Sequence, residues 1–424
     1  MAVLAAMGII PKDRLEQLLI VGEVGLDGRI KPIHGVLPIV TKAAQERMDA
    51  CMVPVENAKE AALVKGIRLF GVNTLEEVIK GFNDEIKFWE PEKEEIGHEK
   101  KVKRKEVPDF SEINGQQFVK RACEIAVSGR HNLLMIGPPG AGKTMIARRI
   151  PGILPEMTEE EALEVTKIYS VRGLLTESEA WMAERPFRNP HHTITPQGLA
   201  GGGMVPGPGE ISLAHHGVLF LDELAEFRRE TLEILRQPME EHCVKLARLA
   251  GNYEFPSDFM LVAAMNPCPC GYYPDRNKCR CTQPQIEKYL GKVSGPLLDR
   301  IDLCVELQQV DILHLQTKIT GESSEQMRER IERARKMQEK RYAGTEYRFN
   351  GDVSSADVDH YCSLGETEKN VMEQLYHALE LSARAYHRIL KTARTIADLE
   401  EQENIAKEHL LEAACYRPSG EYWG

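Results

Sequence analysis

The sequence predicts an α/β fold: a central parallel sheet, a smaller α/β unit ahead of it and an all-α end behind. Three observations predict it. Residues 109–310 alternate short apolar runs with amphipathic stretches, as strands and helices do in a parallel sheet. A glycine-rich turn joins one apolar run, 131–136, to the helix-like stretch 144–150. Residues 323–342 read as a charged helix, and residues 366–415 carry apolar residues at helical spacing.

The elements follow in order. In residues 1–82 the runs 18–21, 51–55 and 67–71 read as strands, 38–47 and 74–81 as helices, and 1–10 as the middle of a helix. Residues 83–108 are dense in Lys and Glu and read as a linker, whose basic half, 100–105, is either a solvated tether or a nucleic-acid contact. Residues 109–315 form the parallel-sheet core and 316–424 a helical lid. At 424 residues and 42% hydrophobic content, the chain has room for two or three domains with real cores. A net charge of −11 argues against a wholly basic nucleic-acid coat protein, although a binding groove depends on local charge. No window reaches the roughly 18 consecutive apolar residues of a membrane span, and residues 1–10 lack the basic lead-in of a signal peptide. The chain therefore reads as cytoplasmic, with no membrane partner.

Gly137-Pro138-Pro139-Gly140-Ala141-Gly142-Lys143-Thr144 fits G-x-x-x-x-G-K-[ST], with a strand before it and a helix after it. Glycines let backbone N–H groups close around phosphate oxygens, and the helix N-terminus adds a positive dipole end. Lys143 then balances β/γ-phosphate charge, and Thr144 offers a hydroxyl to Mg²⁺. The run 217–223 is a buried strand ending in Asp222 and Glu223. Asp222 is placed to hold Mg²⁺ through water and Glu223 to polarise the attacking water; the plainer alternative is a helix N-cap. A third apolar run, 259–265, ends at Asn266, a polar tip that can orient water near the γ-phosphate or simply make a turn. Together these features predict ATP hydrolysis with Mg²⁺.

These motifs carry a family likeness. Residues 137–144, 208–223, 263–268, 295–302 and 381–390 resemble the YifB/ComM magnesium-chelatase-like AAA+ ATPases, and the resemblance runs through nearly the whole chain. It implies an AAA+ core with an all-α lid. It also implies Asn266 as sensor 1, Arg384 as sensor 2 and Arg300 as an arginine finger reaching a neighbouring subunit, hence a homo-oligomer, usually a hexameric ring. A cation supplied in this way neutralises charge on the transferring phosphoryl group. Without the likeness, both arginines would read as surface ion pairs. Gly115 and Gln116 resemble the segment that covers the adenine. Residues 1–82 resemble the second half of a Lon-protease-like domain. Leu37 stands where such a protease places its catalytic lysine, so no peptidase activity is expected.

The resemblance also supplies candidate DNA contacts. About 80 residues separate the loop helix from the Asp222 strand, more than a crossover needs. In related motors an insert here enters the ring pore. Residues 244–251 resemble a second pore element, where Lys245 and Arg248 would meet phosphates; otherwise the hairpin only faces solvent. Adjacent histidines point in different directions, so His191, His192, His215 and His216 read as turn and packing residues rather than metal ligands. Ten cysteines are present, and Cys268, Cys270, Cys279 and Cys281 are spaced C-x-C-x₈-C-x-C. That set suits tetrahedral Zn²⁺, with a metal-free reduced loop as the alternative. Two activities follow: an ATP-driven motor on single-stranded or branched DNA, with branch migration implied by the ComM likeness, or a protein or metal-insertion remodeller like the magnesium-chelatase ATPase subunits.

Overall fold

Runs of buried apolar residues become strands in the computed structural model, which describes residues 1–91, 107–176, 180–248, 251–308 and 321–417. The basic half of the linker lies outside the described residues. The rest falls into two units, one drawn from Met1–Arg104 and Met157–Glu184, the other from Lys105–Glu156 and Arg185–Gly424.

In the larger unit, strands Leu133–Ile136, Phe187–Arg188, Val218–Leu221, Met260–Met265 and Leu303–Glu306 form one sheet. Every pairing is parallel, and by chain position the spatial order is 5-1-4-3-2. Successive side chains alternate between faces. Leu133, Met135, Phe220, Val262 and Val305 thus enter one apolar cluster, while Leu134, Ile136, Leu219, Ala263 and Met265 enter another. Burial on both faces is why these runs are continuously apolar. Among the described residues, the helices between Ser324 and Cys415 keep no separate core. Met327 and Ile331 of Ser324–Arg341, and Ile389 and Ile396 of Ala383–Leu399, share the cluster of Leu133 and Met135. They are pinned by Asp398, fully buried, which accepts two hydrogen bonds from Arg341 at 2.8 and 2.6 Å and pairs with Arg394 at 3.1 Å.

The smaller unit has a parallel sheet of Leu18–Ile20, Ala50–Pro54 and Arg68–Val72, with Ala50–Pro54 central. Helix Leu75–Phe82 begins at Thr74, whose hydroxyl accepts from Glu77 N. The expected long N-terminal helix is confined to Ala2–Ala6. Helix Glu159–Arg172, which falls inside the 109–315 stretch by sequence, belongs to this unit. It meets helix Val36–Gln45: Gly35 N donates to Ser170 O at 3.0 Å, and Leu163 packs on the cluster of Val36 and Leu37.

Candidate nucleotide-binding site

In parallel sheets, ligands gather beyond the carboxyl ends of the strands, where neighbouring connections diverge. The predicted residues converge at that end. Strand Leu133–Ile136 runs into residues 137–144, where Gly140 (φ +77°) and Gly142 (φ +91°) take the left-handed conformation that glycine adopts without cost. Lys143 is buried, and its ammonium donates to Gly137 O at 2.6 Å, Pro138 O at 3.0 Å and Asn266 Oδ1 at 3.0 Å. Lys143 and the tip of strand Met260–Met265 therefore meet although 123 residues separate them. Burial pulls the Lys143 pKa below the usual lysine value, with Asp222 opposing the shift.

Thr144 Oγ1 donates to Asp222 Oδ2 at 2.6 Å, and Asp222 Oδ1 accepts from Glu223 N at 2.9 Å. A hydroxyl and a carboxylate side by side are hard oxygen donors of the kind Mg²⁺ takes alongside phosphate oxygens and water. The residues present therefore fit MgATP: a glycine loop, a cation and an oxygen pair at one sheet edge. Glu223 sits at φ +53°, rare for a non-glycine residue and here fixed by the turn after Val218–Leu221. Its Oε2 lies 3.0 Å from His192 Nδ1. Sequence reasoning missed His192, having assigned both histidine pairs to turns and packing. The only signal was its place just after strand Phe187–Arg188, which lies beside the Asp222 strand. Gly115 and Gln116 both have positive φ and precede helix Gln117–Gly129. Gln116 Nε2 donates to Gln308 O, and neighbouring Leu307 N donates to Ile136 O, so the pair stands at the same sheet end as the glycine loop.

The two arginines are not gathered there. Arg300 and Arg384 line a different cavity of about 330 Å³, together with Arg130, Arg388, Lys391, Glu240 and Asp299. None of residues 137–144, Asp222, Glu223 or Asn266 is among its described lining residues. Arg300 is held by Pro296 O and Glu240, and Arg384 Nη1 lies 3.7 Å from Asp299.

Lys245 and Arg248 lie on the antiparallel hairpin Cys243–Arg248/Gly251–Pro256. The Lys245 ammonium pairs with Glu241 at 2.7 Å, on the surface. Arg248 reaches a second hairpin, Gly201–Gly202/Gly207–Pro208: a Cβ on Gly202 would stand 3.4 Å from its Nη2. At that hairpin's tip Met204 and Val205 are 101% and 85% exposed, an unusual place for two apolar side chains. The four clustered cysteines are free thiols brought together: Sγ atoms of Cys268, Cys270 and Cys279 lie 3.4, 3.8 and 3.6 Å apart, and all four lie within 4.8 Å of one another.

Comparison with known proteins agrees along the chain. Residues 109–315 match the family model for magnesium chelatase subunit ChlI, and residues 321–417 its C-terminal model. Residues 1–57 match a further ChlI model. The chain is 42% identical to competence protein ComM of Haemophilus influenzae and 40% identical to YifB of Escherichia coli, in each case over 98% of this chain and 80% of the relative. A 27% likeness to the magnesium-chelatase 67 kDa subunit of Chlorobaculum parvum covers 48% of this chain and 27% of that protein.

Proposed function

The chain belongs to the magnesium-chelatase-like AAA+ ATPases of the YifB/ComM type, and from that premise we propose that it is a ring-forming motor that spends MgATP on moving DNA. ATP and Mg²⁺ come with the family. When bound, the cation supplies charge neutralisation at the β- and γ-phosphates. The chain's own residues divide the remaining work. The glycine loop 137–142 and Lys143 bind the phosphates, while Gly115 and Gln116 border the base. Thr144 and Asp222 hold the cation's oxygen shell, Asn266 orients water and Glu223 takes its proton.

One observation carries the ring. Arg300 and Arg384 share a cavity whose described walls hold none of the chain's own triphosphate-binding residues. Their charge is useful to hydrolysis where a second copy brings its nucleotide to that cavity, which is how a closed ring, a hexamer on our reading, would couple its sites. DNA is supported by the neighbouring hairpins, one with Lys245 and Arg248, the other with the bare Met204–Val205 tip, and by the relative that is a competence protein. Basic side chains meet phosphates, and exposed apolar ones can wedge between bases. Peptidase chemistry forms no part of the proposal, since Leu37 is an apolar residue buried in the small unit's core.

ATP turnover of the assembled protein, measured with single-stranded, duplex and four-way-junction DNA over a range of salt, tests the reading. Stimulation by DNA that fades with salt is expected. Turnover indifferent to every DNA, with no salt-dependent binding, would overturn the DNA arm. It would favour the remodeller suggested by the magnesium-chelatase likeness.

A further inference from the structure

We propose that Cys268, Cys270, Cys279 and Cys281 hold one Zn²⁺, and that this ion fastens the strand tip bearing Asn266 to the phosphate loop through Gly271 and Pro139. The metal assignment stands apart from the proposed function; its consequence for nucleotide binding rests on the phosphate-loop reading.

The geometry favours a tetrahedral thiolate site. Zinc–sulfur bonds of about 2.3 Å place the sulfurs of a regular tetrahedron roughly 3.8 Å apart. The separations of 3.4, 3.6 and 3.8 Å among Cys268, Cys270 and Cys279 lie at or just under that edge length without any disulfide, and Cys281 Sγ lies within 4.8 Å of the other three. The loop is built to hold them. Gly271 N donates to Cys268 O at 2.9 Å, Cys279 N to Asp275 O at 2.8 Å, and Arg276 Nη1 to Cys281 O at 3.2 Å. Cys268 and Cys279 are buried, so metal rather than water would satisfy them. Binding converts four thiols to thiolates and releases their protons to solvent.

The position of the loop gives the ion a task. Cys268 lies two residues beyond Asn266, which accepts from Lys143. Gly271 has φ +85°, and a Cβ there would fall 2.4 Å from Pro139 Cδ, so only glycine lets this loop rest on the phosphate loop. On its far side the loop enters helix Gln283–Leu290, whose Ile286 and Leu290 join the same apolar cluster as Cys268 and Met265. Helix Gly295–Leu298 then leads to Arg300. The metal would therefore knot together the phosphate loop, Asn266 and the segment that presents Arg300.

The full chain, purified without added metal, is assayed by elemental analysis and by titration with a fluorescent ATP analogue. One zinc per chain is expected. Replacing it with Co²⁺ should give the intense absorption of a tetrahedral thiolate site. The paired substitution Cys270→Ser and Cys281→Ser should lose the metal. Gly271→Ala should keep the zinc yet weaken the nucleotide about tenfold through strain against Pro139, and stripping zinc from the unmodified chain should weaken it likewise. No metal, iron in place of zinc, or a cobalt spectrum lacking thiolate bands would overturn the site. Zinc bound, with nucleotide affinity untouched both by stripping and by Gly271→Ala, would overturn the fastening. A Lys143→Ala chain that keeps its nucleotide would instead strike the phosphate-loop reading and leave the zinc count standing, so the two ideas fail separately.

Discussion

Replacing His192 by alanine should raise ATP turnover in the absence of DNA. The Glu223 carboxylate is engaged by His192 Nδ1 at 3.0 Å, while its backbone is held at φ +53°. A carboxylate that is to accept a proton from water must first leave such a partner. The histidine side chain is 29% exposed and the glutamate 58%, so water screens the contact. Pairs of that kind contribute at most about 1 kcal/mol. Freeing Glu223 from a contact of that size multiplies the population able to act by up to about fivefold. His192→Ala should accordingly raise kcat several-fold and leave KM for ATP unchanged, because Lys143, Thr144 and Asp222 make their contacts without it. Steady-state phosphate release, with and without DNA, measures this. A fall in kcat to the level of a chain lacking Glu223 would refute the reasoning and make His192 part of the chemistry.

Three further outcomes follow from the same geometry. Glu223→Gln should lower turnover by about a hundredfold or more while nucleotide stays bound, because proton transfer is lost and the loop contacts are not; paired turnover and binding measurements check it. Arg300→Ala and Lys143→Ala should each be inactive alone, yet a mixture should recover about a quarter of parental turnover where random assembly joins an intact loop to an intact arginine; a mixture that stays inactive counts against a site shared between copies. Burial holds His131 neutral and pushes its pKa down to about 4, while Asp302 opposes the shift. The unfolded chain therefore takes up the proton first. The resulting stability, about 3 kcal/mol, is fully present above pH about 6.5 and is lost as pH falls toward about 4. Denaturant titrations across that range should show the loss, flattened in His131→Asn.

The phosphate loop was legible because its chemistry is local. Gly140, Gly142, Lys143 and Thr144 are neighbours in the chain, and backbone conformation and spacing suffice to make the cradle. The strands were legible for a related reason: two-sided burial demands unbroken apolar runs, and 133–136, 218–221 and 260–265 are such runs. The small unit's three parallel strands and its helices Val36–Gln45 and Leu75–Phe82 were likewise within two residues of their observed bounds, whereas the N-terminal helix was read too long and helix Ala58–Ala61 was not read at all.

Contacts across long sequence separation were a different matter. No periodicity in residues 159–172 says that this helix joins the small unit, because an amphipathic face does not name its partner. His192 was passed over because a histidine's role depends on the carboxylate it meets, and Glu223 is brought to it only by the pairing of two parallel strands. The cavity shared by Arg300 and Arg384, and the contact of Gly271 with Pro139, likewise arise from packing between segments far apart in the chain. By itself the sequence determined most of the elements and the glycine turn of residues 137–144, since dihedral preference, burial pattern and motif spacing are properties of short stretches. Only the tertiary structure decided which residues share a pocket, because that depends on how distant apolar faces pair to exclude water.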